Sequence, residues 1–254
     1  MRPYVLAETN WRQVQETAYE VAVLPWGATE AHNYHLPYAT DVYETIAIAE
    51  ESAHIAWQAG AKVLALPAIP FGVNTGQLDI PLTINMNPST QLAVLRDIVE
   101  SLEVQGVPKL VVLNGHGGND FRTMLRELQG ATEVFICTLN WFTCIDARSF
   151  FDEPGDHAGE LETSLMMFLQ PDLVSLASAG DGRTRAFRVQ ALREGWVWAP
   201  REWRRATIDT GSGNPRAASP EKGERYFEAV TQKIGQFLVE IAQTPANQLY
   251  EGED

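Results

Sequence analysis

Lys109-Leu110-Val111-Val112-Leu113-Asn114 runs straight into Gly115-His116-Gly117-Gly118-Asn119-Asp120, so an apolar, β-branched stretch ends in a loop that holds one imidazole among three glycines. A short apolar run bounded by glycines reads as a buried strand. The loop then delivers its histidine to the carboxyl end of that strand. Three further runs have the same character, at residues 21–25, 62–66 and 134–140. Helical patterns separate them. Residues 41–60 begin with a capping acid, carry Glu44 three positions on, and stop at Gly60. Residues 89–106 repeat the scheme, 121–130 follow the glycine loop, and a further helix is expected from about 159 to 169. Ser219-Pro220-Glu221, a cap residue before proline at the first helical position, announces a last helix reaching about residue 244. Strands alternating with helices predict βαβ units and a mostly parallel sheet, an α/β fold.

The 254 residues suffice for one large domain over 1–254 with a substantial core. A hydrophobic share of 45% against 20% charged is that of a globular protein rather than a disordered one. The net charge of −14 argues against nucleic acid and anionic membrane as partners, because a like-signed field repels them. Residues 1–27 lack the apolar core of a signal peptide, and no run approaches the roughly 18 apolar residues of a membrane span. A cytoplasmic protein is expected. Cys137 and Cys144, seven apart in apolar surroundings, read as free thiols. Residues 178–218 have no regular period. Eight arginines stand against four acids between 180 and 217, which suits a subunit interface or recognition of an anionic group.

Four of the five histidines, at 32, 35, 116 and 157, fall in loops after expected strands, where ligands of open α/β sheets bind. His54 lies within a helix. In an extended chain Glu30 and His32, two apart, point to one side and can reach one metal-sized point. Asp41 either caps its helix or joins them, and His35 orients a ligand or pins the loop. The glycine loop lacks the lysine and spacing of a phosphate cradle. Instead glycine flanks let backbone and metal approach closely, since glycine tolerates unusual dihedrals. Asp156, His157, Glu160 and Glu162 crowd the start of a helix, where the dipole favours carboxylates anyway. Glu30, His32, Asp41, His116 and Glu160 form a mixed nitrogen and oxygen set suited to Zn, Mn or Fe. Five ligands exceed one catalytic ion and fit two divalent metal ions sharing a carboxylate.

The segments LPWGATEAHNYHLPYATD (24–41), VVLNGHGGN (111–119), DHAGELETS (156–164) and GSGNPRAASPEKGE (211–224) together resemble the creatininase family of metal hydrolases. The resemblance implies a three-layer α/β/α fold, a hexamer, and a dinuclear centre that hydrolyses non-peptide C–N bonds in cyclic amides or formamides. It places Glu30 and His116 on one metal, His32 on the other and Asp41 between them. Where creatininase has an acid two positions after the loop histidine this chain has Gly118, and Glu160 is proposed to supply the missing carboxylate. His157 matches the family's proton-moving histidine, serving attack by a metal-bridging hydroxide on a small-molecule amide. Residues 71–88 depart from the histidine and PGT of many members, and the tryptophan that precedes the family histidine is absent before His157. A non-catalytic small-molecule-binding protein that keeps the fold and a metal is the alternative. A nucleotide-binding protein using the glycine loop is a third.

Overall fold

The computed structural model describes residues 2–252. The strands are β1 (Val21–Trp26), β2 (Val63–Ala65), β3 (Lys109–Asn114) and β4 (Phe135–Asn140). The helices are α1 (Trp11–Gln15), α2 (Thr40–Gln58), α3 (Pro88–Val104), α4 (Arg122–Gln129), α5 (Glu160–Leu169), α6 (Gln190–Arg193), α7 (Trp203–Ala206) and α8 (Pro220–Gln243). All four strands are parallel, in the order β2-β1-β3-β4, with Val23 opposite Val111 and Val112 opposite Thr138.

Both faces of the sheet are covered. Alternate strand residues Val21, Val23, Val63, Val111 and Leu113 pack with Ile48 and Ala53 of α2, Leu165 of α5, and Tyr226, Val230 and Leu238 of α8. Their neighbours Ala22, Leu24, Trp26, Leu110 and Val112 point the other way, onto Leu95 and Val99 of α3 and Met124 and Leu128 of α4. Burial on both faces explains why the strands read as continuous apolar runs rather than alternating ones. The result is the expected three-layer α/β/α arrangement. Lys109, a charged residue at the start of a buried strand, is satisfied because its Nζ donates to the carbonyls of Ile241 (2.7 Å) and Ala242 (3.1 Å) at the end of α8.

The chain leaves β1 through α2 to reach β2 on one side. It then crosses by α3 to β3 on the other side of β1. Right-handed crossovers in opposite directions place α2 and α3 on opposite faces, and they open a crevice beyond the carboxyl ends of β1 and β3. Ser219 caps α8, its hydroxyl accepting from the Lys222 amide. Both cysteines are free, and burial pushes the Cys137 thiol up to about 12. Among the described residues no helix is long and apolar enough to cross a membrane.

Candidate functional site

The loops after β1 and β3 bring four of the expected residues together. Trp26 ends β1, and Glu30 and His32 follow on a loop that returns to begin α2 with Asp41 in its first turn. The cap residue of α2 is Ala39, without a side-chain cap. Asp41 therefore spends its carboxylate on the site and not on capping. His116 arrives from β3. Asn114 braces that loop, its Oδ1 accepting from the amide of His116 and from Asn119 Nδ2, while its Nδ2 donates to the His116 carbonyl.

The glycines act differently from the expectation. Gly115, Gly117 and Gly118 are absent from the left-handed region, so unusual dihedrals are not their purpose. What the loop needs at Gly115 and Gly118, though not at Gly117, is the missing Cβ. One at Gly115 would lie 1.8 Å from Thr45 Oγ1, and one at Gly118 would lie 2.3 Å from the Val73 carbonyl and 2.4 Å from His116 Nε2. No larger side chain fits at 118 without displacing His116.

The side chains converge closely. His32 Nε2 lies 2.8 Å from Asp41 Oδ1, and His116 Nδ1 lies 2.9 Å from Glu30 Oε1 and 3.0 Å from Asp41 Oδ2. Asp41 thus turns one oxygen to each histidine. Among the described residues, two of these atoms, His32 Nε2 and Asp41 Oδ2, are buried and make no well-aligned hydrogen bond despite the short contacts. Atoms that crowd together yet do not point at one another are aimed at a shared point. Each imidazole is oriented by a backbone carbonyl. His32 Nδ1 donates to Glu30 O (3.1 Å), His116 Nε2 to Val73 O (3.1 Å) and His157 Nε2 to Ala31 O (2.9 Å). Each ring then offers its other nitrogen to the cluster, the arrangement that carbonyl partners give metal-binding histidines.

Among the described residues, three groups have ligand atoms within 4.8 Å of one another: Glu30, Asp41 and His116; His32, Asp41 and Glu162; and Glu30, His32 and His157. Glu160 is not among them, which corrects the expectation. It is fully buried, but its carboxylate accepts from the Glu153 amide (2.8 Å) and pairs with Lys222 of α8. The cause is helical pitch. Two residues along a helix differ by about 200° in direction, so Glu160 and Glu162 cannot both face the cluster. Glu162 does, and Glu160 faces α8.

Burial and charge work against each other here. Burial pulls the His32 imidazole down, but the Asp41 carboxylate more than offsets it and holds the ring at about 10. Burial pushes Glu30 up, and His116 and His157 bring it below the ordinary carboxylate range. His35 stands apart, its Nε2 2.8 Å from Thr163 Oγ1. Burial pulls its imidazole down to about 4, helped by His32. An unfolded histidine near 6.5 therefore binds a proton that the folded chain refuses, and stability falls as pH drops from about 6.5 to about 4. The loss expected is on the order of 3 kcal/mol. Urea titrations of the wild type and His35→Gln across this window check it, because the variant should lose that part of the acid slope; equal slopes would reject it.

A cavity of about 680 Å³ opens over the cluster. Its floor includes Glu30, Asp41, His116, His157 and Glu162, and its walls include Phe142, Leu161, Phe187 and Val197. The arginine-rich segment thus builds a wall of this cavity. Within it Trp203 stands edge-on to the His157 ring at 5.2 Å, and Arg201 stacks on Trp203 while pairing with Asp156. An indole reaches His157 from this segment and not from just before it in sequence.

The family model of creatininase, creatinine amidohydrolase, matches residues 7–238. The chain belongs to the creatininase family. A crystal structure from Bacteroides fragilis NCTC 9343, provisionally named a creatinine amidohydrolase, superposes with a TM-score of 0.93 at 44% identity, covering 99% of this chain and 100% of that one. A creatininase variant of Zn–Zn type gives a TM-score of 0.77 at 26% identity over 93% of this chain and 97% of its own. The mycofactocin precursor peptide peptidase of Mycobacterium ulcerans (strain Agy99) is 28% identical over 81% of this chain and 79% of its own. Creatininase relatives thus include an enzyme named for a small cyclic amide and one named for a peptide.

Proposed function

We propose that this chain is a dinuclear metal-dependent amidohydrolase that cleaves a C–N bond of a small-molecule amide. The observation that carries this reading is the pair of ligand groups that share Asp41, with His32 Nε2 and Asp41 Oδ2 buried and making no well-aligned hydrogen bond among the described residues. The donors fit the ions: Glu30, Asp41 and His116 would hold one, and His32, Asp41 and Glu162 the other. Three carboxylates with two imidazoles suit Zn, Mn or Fe, and the Zn–Zn form of a creatininase supports two. Two such ions supply Lewis acidity and a water whose pKa is lowered toward neutrality, so no serine or cysteine nucleophile is needed.

The chain's own residues do the rest. His157 lines the cavity with its Nε2–H fixed on Ala31 O, so Nδ1, 3.8 Å from Glu30 Oε1, is the atom that holds and passes the proton to the departing nitrogen. Trp203 limits the ring's tilt. Phe142, Phe187 and Val197 keep water from the leaving group. A cavity of this volume is larger than one small ring requires, so a peptide substrate is the second reading, favoured by the peptidase relative. A cytoplasmic homo-oligomer, hexameric as in the family, completes the proposal; the exposed Trp196 and Val189 of the arginine-rich segment would lie against a second copy.

Elemental analysis, combined with turnover of cyclic amides, formamides and short peptides before and after chelation, tests this reading. About two ions per chain are expected, with hydrolysis abolished by chelation and restored by Zn or Mn. Hydrolysis that survives metal removal would overturn it, and metal-dependent binding without product would favour the non-catalytic alternative.

A further inference from the structure

Arg201 is the one lysine or arginine among the described residues that line the cavity. Its backbone is pinned to one wall, where Gly76 abuts the Arg201 carbonyl so closely that a Cβ there would lie 2.0 Å from it. Its guanidinium reaches another wall, where Nη1 donates to Asp156 Oδ2 (2.7 Å). Gly76 and Asp156 both line the cavity, so the side chain between them runs along its rim. The head is held flat, with Cζ 4.4 Å from the centre of the Trp203 ring. A guanidinium stacked on an aromatic face keeps its donors in its own plane, free to bond sideways. Among the described residues Nε and Nη2 make no hydrogen bond. The side chain is 45% exposed, so a ligand can reach this edge of the fork. Asp156 does not use the cation up. Its own side chain is 58% exposed, and an exposed ion pair contributes little; the contact's effect is to hold the guanidinium in place with one edge open.

The cation also stands on a particular side of the chemistry. Trp203, on which it stacks, is edge-on to the His157 ring, and Asp156 precedes His157 in the chain. His157 is the residue that passes a proton to the departing nitrogen. We infer that Arg201 binds a carboxylate on the amine that departs, so that the leaving group is an amino acid, alone or at the head of a short peptide. This names the substrate class of the hydrolase reading above and rests on it. Nε and Nη2 together match the two oxygens of a carboxylate. With the floor carboxylates Glu30, Asp41 and Glu162 balanced by divalent ions, an anion at the rim meets no large repulsion. An amide whose departing amine is neutral lacks this contact and binds less well.

Succinate monohydroxamate and its carboxamide analogue chelate zinc alike and differ in one terminal carboxylate. A second pair, with glycine or glycinamide appended at that terminus, sets the carboxylate one residue farther out. Calorimetric titration of the zinc-loaded protein should show the acid of at least one pair binding roughly tenfold more tightly than its amide. A larger preference in the first pair identifies a single amino acid as the leaving group, and in the second a short peptide. Arg201→Gln should abolish the preference while binding both carboxamides as the wild type does, which shows the metal site and His157 undisturbed. Arg201→Lys, which keeps the charge without the fork, should retain part of it. Equal affinity within both pairs, or a preference that survives in Arg201→Gln with its zinc intact, would overturn the inference alone. Absence of zinc-dependent binding of every probe would overturn the hydrolase reading and this inference with it.

Discussion

Asp41→Asn should release both ions together. The Asp41 oxygens face His32 Nε2 at 2.8 Å and His116 Nδ1 at 3.0 Å, and the residue belongs to two of the three ligand groups. Asparagine keeps the shape but removes the charge and one acceptor oxygen, so one group loses its shared ligand and the other keeps only a neutral amide oxygen in place of a carboxylate. Activity should fall by at least about a thousandfold, equivalent to roughly 4 kcal/mol of transition-state stabilisation. The fold should persist, because Asp41 does not cap α2 and the cap residue Ala39 is unchanged. Added zinc should raise the melting temperature of the wild type, since a ligand that binds only the folded state stabilises it, and should leave that of the variant unmoved. Mass spectrometric metal analysis after dialysis checks the claim. A variant that keeps one tightly held ion would show that Asp41 is not shared.

The second large effect separates two glutamates that lie two residues apart. Glu162→Gln should lose one ion and at least about a hundredfold in activity, given that even the groups supporting metal ligands are worth 10–100-fold. Glu160→Gln should keep both ions and its turnover. Its cost falls on stability, about 1–2 kcal/mol, because Glu160 anchors Lys222 of α8 and the Glu153 amide. Parallel metal analysis and urea denaturation distinguish the pair. If Glu160→Gln lost the ion and Glu162→Gln did not, the assignment made from helical direction would be reversed.

That pair also marks how far the sequence is legible. The strands and the helices that flank them can be read because a parallel strand buried on both faces must be apolar throughout, and β1 and β3 announce themselves in that way. Glu30, His32, Asp41 and His116 can be read because strand ends and helix starts carry them to one edge of the sheet. Helical phase alone says only that Glu160 and Glu162 cannot both face the cluster. The packing partner Lys222, some 60 positions on, is what decides it. The glycines of the loop were legible as necessary but not for the right reason, because close approach to Thr45 and Val73 is a tertiary fact. Trp203 carried no signal at all. Residues 178–218 have no period to place an indole over His157.

Anomalous diffraction at the zinc edge from crystals of the zinc-loaded protein tests the central claim most directly. Two peaks are expected, roughly 3.5–4 Å apart as in two-metal sites, one beside Glu30, Asp41 and His116 and the other beside His32, Asp41 and Glu162. A single peak, or peaks away from Asp41, would contradict it.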